Sequence, residues 1–310
     1  MWQGINVKKI QKFFSSVWPA LLSPDHSGDP VSCHTPKPHL LSPLLLSSPH
    51  AGRQYTQDFL STTKLPLHEL QKMEDRFIDK LLDGASLQHI SVIQALFPRS
   101  FCDVNRDWKE LDISMFSPPL NQEDLTHSSK VSAGYGVIPR CISPGRAIYR
   151  YCLPAAEAEK RLLACWVPYH KLLKDTQKQL TETFGFSVLL DIHSMPPLAQ
   201  QRPCDIVLGD VHGQSCAPVL IDFIDNAFSQ RGYHVQRNTP YAGGYITNHY
   251  SQRAQKQHTL QIEINRQCYL NLNTLKPNKN FYSFKKDIHS ILSHLTKWLQ
   301  SDGRNTLSSS

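Results

Sequence analysis

Residues 186–192 read FSVLLDI, and this short, mostly apolar run is the strongest predicted strand in the chain. A run of this kind is typical of a strand buried within a parallel sheet. It leads directly into His193, so a side chain that can bind metal follows the apolar run. In open α/β sheets, ligands bind in the crevice outside the strand ends. The run therefore predicts both a fold class and the place of a candidate site.

Strand and helix patterns alternate on both sides of this run. Further strands are predicted at 44–48, 90–96, 204–208, 233–237 and 258–264. Helices are predicted at 67–83, 155–184, 216–230 and 281–299, and Pro168 should kink or split the second of them. The alternation predicts an α/β fold: a three-layer sandwich whose mixed, largely parallel central sheet has helices on both faces.

Composition divides the chain into three parts. Residues 1–43 are predicted to be an N-terminal extension and linker, with a short amphipathic helix in the first 24 residues and a Pro-, Ser- and His-rich stretch after it. Residues 44–300 are predicted to form one large domain, and the Ser-rich residues 301–310 a disordered tail. Residues 107–147 lack periodicity and hold several Pro and Gly, which predicts an irregular segment covering a site.

Charge and cysteine content narrow the function classes. The chain has a formal charge of +7, which suits nucleic acid, a membrane surface or a small anionic substrate. No aromatic–basic repeat resembles a nucleic-acid-binding module, and no uninterrupted apolar stretch of about 18 residues is present to span a membrane. The eight cysteines form no CxxC pair. Because no convincing secretion signal precedes them, we expect reduced thiols in a cytoplasmic protein.

Three polar side chains lie at or near the end of an apolar predicted strand: His50, His193 and Glu263. Hydrolysis of an amide needs a nucleophilic water and stabilisation of an oxyanion, and zinc held by three protein ligands supplies both. A nearby carboxylate then accepts the proton of the water. Neither histidine starts an HExxH or HxxE motif, so spacing alone leaves a structural role for each of them open.

Eight segments in order along the chain resemble those of the N-formylglutamate amidohydrolase family. They are SPHAGRQY (48–55), EDRFIDKL (74–81), PRSFCDVNR (98–106), VPYHKLL (167–173), LLDIHSMP (189–196), CDIVLGDVHGQSC (204–216), NTPYAGGYIT (238–247) and HTLQIEINRQCYL (258–270). The resemblance covers about residues 44–270. It implies a fold related to the zinc carboxypeptidases and aspartoacylases, with residues 44–300 as the catalytic domain.

The resemblance also implies a metal centre. His50 and His193 would be zinc ligands, and a carboxylate from the first helix would be the third. Asp75 matches the family position better than its neighbour Glu74. Glu263 would be the general base.

A substrate site is implied as well. The DVNR sequence resembles the Asn–Arg clamp of related acylases, so Arg106, with Asn105 beside it, would hold a substrate carboxylate through planar paired donors. The implied function is zinc-dependent hydrolysis of an N-formyl or other N-acyl acidic amino acid, such as N-formyl-glutamate. The expected partner is thus a small anionic N-acyl amino acid, with no nucleic acid and no transmembrane segment.

Several alternatives stay open. Glu263 could instead pair with Arg266, Arg106 could pair with Asp103, and Asp75 could be an exposed helix residue. The protein could also be an amidase or peptidase of the same fold with another N-acyl or peptide substrate, or a non-catalytic binding homologue.

Three further residues have two possible roles each. Asp191 shares a strand face with His193, and either orients that imidazole or only ends the strand. Tyr169 and His170 either line the site or pack in the core.

Overall fold

The computed structural model describes residues 29–120, 125–198 and 204–308, and its centre is a seven-stranded sheet. The strands are β1 Val31–His34, β2 Leu44–Ser48, β3 Ser91–Ala95, β4 Ser187–Met195, β5 Ile206–Gly209, β6 Val235–Arg237 and β7 Gln257–Asn265. They lie in the order β1-β3-β2-β4-β7-β5-β6. The β1–β3 and β5–β7 pairs are antiparallel, and the other four pairs are parallel. The predicted mixed, largely parallel sheet is therefore confirmed.

Helices cover both faces of this sheet. They are α1 Gln57–Thr62, α2 Leu67–Leu70, α3 Ile78–Leu82, α4 Ser129–Ser132, α5 Ala156–Arg161, α6 Val167–Phe184, α7 Pro218–Ser229, α8 Tyr245–Tyr250, α9 Phe281–Gln300 and α10 Asp302–Leu307. Alternate strand residues enter different cores: Leu190 packs with α3, α7 and α9, whereas Leu189 packs with α6 and α8. This arrangement confirms the three-layer sandwich. Within the described residues, no helix is both long and apolar enough to cross a membrane.

Short two-stranded ribbons lie outside the sheet. They pair Phe116–Ser117 with Leu153–Pro154, Cys141–Ser143 with Arg146–Ala147, and Leu270–Asn271 with Lys276–Pro277. Two of them lie at least partly in the predicted irregular segment, which otherwise has little regular structure where it is described.

The single helix predicted at 67–83 is wrong. After α2 and a 3-10 turn at Gln71–Met73, the chain becomes extended at Glu74 and takes a left-handed conformation at Phe77, with φ of 66°. The N–H of Asp75 binds the carbonyl of His50 at 3.0 Å instead of a carbonyl of its own helix. The break thereby places Asp75 in a turn beside His50, which a continuous helix would not do.

The long helix predicted at 155–184 is present with a π-turn instead of a split. Residues Leu162–Trp166 form this turn between α5 and α6, and the N–H of Val167 binds the carbonyl of Leu162. Pro168 lacks an N–H and its ring clashes with the carbonyl four residues earlier. The extra residue in the π-turn accommodates that ring while the helix continues.

The ends of the chain differ from the predicted boundaries. Residues Val31–His34, predicted as linker, form an edge strand paired with β3. The predicted disordered tail is wrong for Asp302–Leu307, which forms α10 and buries Leu307 in the core with α9. The amphipathic helix predicted in residues 1–24 lies outside the described residues.

Candidate metal centre

Two neighbouring parallel strands supply the polar floor of the candidate site. His193 on β4 lies directly opposite Glu263 on β7. Because side chains alternate along a strand, Ile192 and Ile262 enter the core on one face while His193 and Glu263 project from the other. The sequence prediction that these two polar residues share a site is consistent with this register.

The segment after β2 brings His50 to the same place. Gly52 is required for this turn, because a Cβ there would lie 2.2 Å from the carbonyl oxygen of Phe97. The close approach fixes the loop against the end of β3. The hydrogen bond from the Asp75 N–H to the His50 carbonyl then joins the two segments that carry these side chains.

Three ligand atoms converge in this buried space. The Nδ1 atoms of His50 and His193 lie 3.1 Å apart, and Asp75 Oδ2 lies 3.4 Å and 3.1 Å from them, respectively. All three residues are almost fully buried. Ligand atoms at tetrahedral angles, about 2.0–2.1 Å from a zinc ion, would lie about 3.3 Å from one another. The triangle therefore has the dimensions of three corners of a zinc site.

The outer ring nitrogens of both histidines face carboxylates. His50 Nε2 lies 2.7 Å from Asp103 Oδ1, and His193 Nε2 lies 2.8 Å from Asp191 Oδ2. An ionised carboxylate accepts only, so each Nε2 carries a proton, and Nδ1 is the ring atom that each histidine directs at Asp75. Carboxylate–histidine pairs of this kind orient metal ligands in proteins. The donor chemistry therefore fits a divalent cation.

The electrostatics of the cluster favour positive charge. Although burial opposes it, Asp191 and Asp75 raise the pKa of His193 well above its usual value. Burial also acts against ionisation of Asp75, yet hydrogen bonds with His193 and His50 hold the pKa of that carboxyl well below its usual range. Arg266 donates to Asp75 Oδ1 at 3.3 Å and fixes the second carboxylate oxygen.

Glu263 lies beside this cluster, and no arginine in the described part of the chain forms an ion pair with it. Its Oε1 accepts a hydrogen bond from Gln261 Nε2 at 3.0 Å. Arg266 binds Asp75 and Ser194, so the alternative Glu263–Arg266 ion pair is wrong. Burial raises the pKa of Glu263 to about 7, against the opposing effect of His193. A carboxyl group with this pKa both accepts and releases a proton near neutral pH.

Asn105 lies at the edge of the cluster, with its Nδ2 3.2 Å from His193 Nε2. Its Oδ1 accepts the N–H of Ile246 at 2.8 Å, which fixes the orientation of the amide. A Cβ at Gly244 would lie 2.3 Å from Asn105 Nδ2, so the glycine makes room for this side chain. The absence of a side chain at Gly244 therefore allows Asn105 to take its position beside the cluster.

Arg106 is held by backbone carbonyls. Its Nε donates to Tyr135 O at 3.0 Å, and its Nη1 donates to Asn105 O at 2.9 Å. Asp103 forms its ion pair with Arg99 at 2.7 Å, so the alternative Arg106–Asp103 pair is wrong.

Asp75 and Glu74, the two candidate helix acids, differ in their contacts. Both residues are buried, so the alternative of an exposed Asp75 is wrong. Glu74 binds Tyr55 and Arg76 at 2.8 Å and 2.7 Å, outside the cluster. The carboxylate that reaches the two imidazoles is that of Asp75.

Sequence reasoning missed part of the supporting shell. Asp103 was considered only as a partner of Arg106, although it lies in the PRSFCDVNR segment and faces His50. Asp191 contacts His193, which agrees with the alternative that it orients this imidazole. The Ser47 hydroxyl lies 2.7 Å from Asp191 Oδ1 and 2.8 Å from the Tyr169 hydroxyl, and so connects these two residues.

His170 does not contact this cluster. Its ring lies 2.9 Å from Val104 O and 3.0 Å from the Tyr250 hydroxyl, so it packs in the core.

Comparisons with known proteins identify similar sequences. The chain matches the family described as N-formylglutamate amidohydrolase over residues 42–270. It is 30% identical over 237 residues to the N-formylglutamate deformylases of Pseudomonas aeruginosa and Pseudomonas putida, and the match covers 74% of this chain and 82% of each relative.

Solved structures support the fold. The N-formylglutamate amidohydrolase of Ralstonia eutropha JMP134 superposes with a TM-score of 0.83 at 28% identity, covering 88% of this chain and 99% of that chain. The gene product Atu2144 of Agrobacterium tumefaciens shares the fold with a TM-score of 0.63 at 18% identity, covering 88% of this chain and 97% of that chain.

Proposed function

The chain belongs to the N-formylglutamate amidohydrolase family, and we propose that it is a zinc-dependent enzyme that hydrolyses N-formyl-glutamate to formate and glutamate. The convergence of His50 Nδ1, Asp75 Oδ2 and His193 Nδ1 within 3.1–3.4 Å of one another carries the proposal. The names of the relatives indicate the substrate.

In this proposal, His50, Asp75 and His193 hold the metal. Two neutral imidazoles and one carboxylate are a ligand set that hydrolytic zinc sites use. When bound, zinc would supply Lewis-acid chemistry, activating water and polarising the amide carbonyl. Asp103 and Asp191 keep both imidazoles in the tautomer whose Nδ1 lone pair faces inward.

Glu263 acts as the general base. It accepts a proton from the attacking water and returns it to the leaving nitrogen, as the C–N bond breaks and a C–O bond to the formyl carbon forms. Gln261 holds Glu263 Oε1, so the carboxylate is oriented before substrate binds. Its pKa of about 7 suits transfer in both directions.

Asn105 and Arg106 hold a substrate carboxylate. The guanidinium of Arg106 is fixed by two carbonyls, and the Asn105 amide is fixed by the Ile246 N–H, so both groups are positioned in advance. Positioning of this kind lowers the entropic cost of binding substrate in a reactive geometry.

Metal analysis and a Glu263→Gln variant test the proposal. We expect about one equivalent of zinc per chain in the wild type and in the variant. The variant should lose about 10²–10⁴-fold in kcat because its amide cannot accept the proton. Glu69→Gln is the matched control, since Glu69 pairs with Lys72 and Arg146 instead. Wild-type protein that binds no metal, or full activity in Glu263→Gln, would contradict the proposal.

A further inference from the structure

Gln261 contacts both the proposed general base and the segment beside Asn105. It is 3% exposed and lies two residues before Glu263 on β7, so both side chains project from the same face of the sheet. Its Oε1 accepts the N–H of Gly244 at 2.7 Å, and its Nε2 donates to Glu263 Oε1 at 3.0 Å. A single buried amide thus connects two parts of the candidate site.

The neighbours of this amide determine its orientation. A backbone N–H can only donate, so the atom of Gln261 that faces Gly244 is the oxygen. Thr247 Oγ1 donates to the same oxygen at 3.4 Å. The amino group of Gln261 must then face Glu263, and it can only donate. A flipped amide would bring donors together at Gly244 and acceptors together at Glu263.

The segment after β6 borders Asn105 as well. The N–H of Ile246 donates to Asn105 Oδ1 at 2.8 Å. Gly209 lies opposite Gln261 in the antiparallel β5–β7 pair, and a Cβ there would lie 2.7 Å from the backbone of Ala242. Because Gly209 lacks a side chain, the segment approaches the sheet closely enough to bind Gln261.

Gln261 leaves one oxygen of the Glu263 carboxylate available. The Gln261 amino group occupies Oε1, and within the described residues no hydrogen bond reaches Oε2. A proton on Oε1 would face an amino group that has no lone pair to accept it. Oε2 is therefore the oxygen that can take up a proton without losing this contact.

We propose that Gln261 is a positioning residue that reserves Glu263 Oε1 and assigns proton transfer to Oε2. Through Gly244, the same amide ties the base to the segment that orients Asn105. The inference rests on the proposed function and refines it, because it names the oxygen that exchanges the proton and the residue that selects this oxygen.

Two substitutions separate the two ends of this amide, with N-formyl-glutamate as the substrate. Gln261→Glu keeps an oxygen for Gly244 but presents a second acceptor to Glu263, so kcat should fall by about tenfold while KM stays within about two-fold. Gln261→Met removes both contacts, so kcat should fall by a similar factor and KM should rise by about three-fold.

Gln177→Met is the matched control. Gln177 is 2% exposed, and its Nε2 donates to the carbonyl of Tyr250 at 3.1 Å. Tyr250 ends helix α8, which begins directly after Gly244, so this variant loosens the other end of the same helix without touching Glu263. Its kcat and KM should stay within about two-fold of the wild-type values.

Wild-type kcat in Gln261→Glu, or an equal loss of kcat in Gln177→Met, would overturn the inference. If the wild type does not hydrolyse N-formyl-glutamate, the proposed function fails instead, and crystal structures of the wild type and Gln261→Met then test the positioning role alone. We expect the Glu263 carboxylate to rotate in that variant, and an unchanged carboxylate would reject the role.

Discussion

Replacing Asp103 by asparagine removes the negative charge beside His50 and Arg99 while keeping a side chain of nearly the same shape. Asp103 Oδ1 faces His50 Nε2 at 2.7 Å and also accepts the Asn105 N–H at 2.9 Å. Its Oδ2 accepts from Arg99 Nη2 at 2.7 Å. In Asp103→Asn, the amide oxygen can stay at the Oδ1 position, but the amide nitrogen then meets the Arg99 donor.

The expected magnitudes follow from these contacts. The His50 hydrogen bond survives without its charge, and since charge-assisted bonds are about twice as strong, His50 is held less firmly. Loss of such a supporting carboxylate weakens metal affinity by about 10–100-fold. Because Asp103→Asn keeps an oxygen facing His50, we expect its zinc affinity to fall by about tenfold. The free energy of unfolding should fall by about 2 kcal/mol. Breaking a fully buried ion pair costs about 3–5 kcal/mol, and the loss here is smaller because Arg99 is partly exposed.

Zinc affinity is measured by competition with a chromogenic chelator, and stability by urea unfolding of the metal-free protein. Asp79→Asn is the matched control, because Asp79 receives two hydrogen bonds from Arg53 at 2.6 Å and 2.9 Å but touches neither imidazole. That variant should lose stability and keep its zinc affinity. The reasoning is refuted if Asp103→Asn binds zinc within about two-fold of wild type, or if the control weakens zinc as much.

Three further predictions follow from the described contacts. Asp75→Asn should lose stoichiometric zinc in metal analysis, whereas Glu74→Gln should keep it, because only Asp75 reaches the imidazoles. Burial lowers the pKa of His170 to about 3, so the folded state favours the neutral imidazole. The contribution of His170 to the free energy of unfolding is therefore complete above about pH 6.5 and falls as the pH drops below that value. Between neutral pH and about pH 5, the free energy of unfolding measured in urea should fall by about 2 kcal/mol more in the wild type than in His170→Gln. Equal decreases would reject the claim that His170 is buried in its neutral form. Gly244→Ala should raise KM and lower stability by about 1–3 kcal/mol, since its Cβ would displace Asn105; an unchanged KM would contradict this.

Residues on the sheet could be predicted well from sequence. The run 186–192 is mostly apolar, and the strand that carries Glu263 alternates apolar with polar residues, so side-chain alternation assigns His193 and Glu263 each to one face of its strand. Parallel pairing of the two strands then places these residues opposite each other. Local pattern and sheet geometry together were sufficient here.

Asp75 shows where local pattern fails. Apolar residues at helical spacing favour one helix through 67–83, but burying a carboxylate beside two imidazoles requires the chain to turn at that point. The turn is held by the Asp75 N–H to the His50 carbonyl, a contact between residues far apart in sequence. Tertiary contacts therefore overrode helix periodicity, as they commonly do for short amphipathic segments.

The contact of Asp103 with His50 depends on geometry that no sequence pattern encodes. Both residues follow strands of the same sheet, but the distance between their side chains is set by the loops that follow, and Gly52 fixes one of these loops against the carbonyl of Phe97. A larger residue at position 52 would separate the two segments and weaken the orientation of His50. A glycine without any functional group thus contributes to the metal centre, because the imidazole can face inward only where the backbones approach this closely.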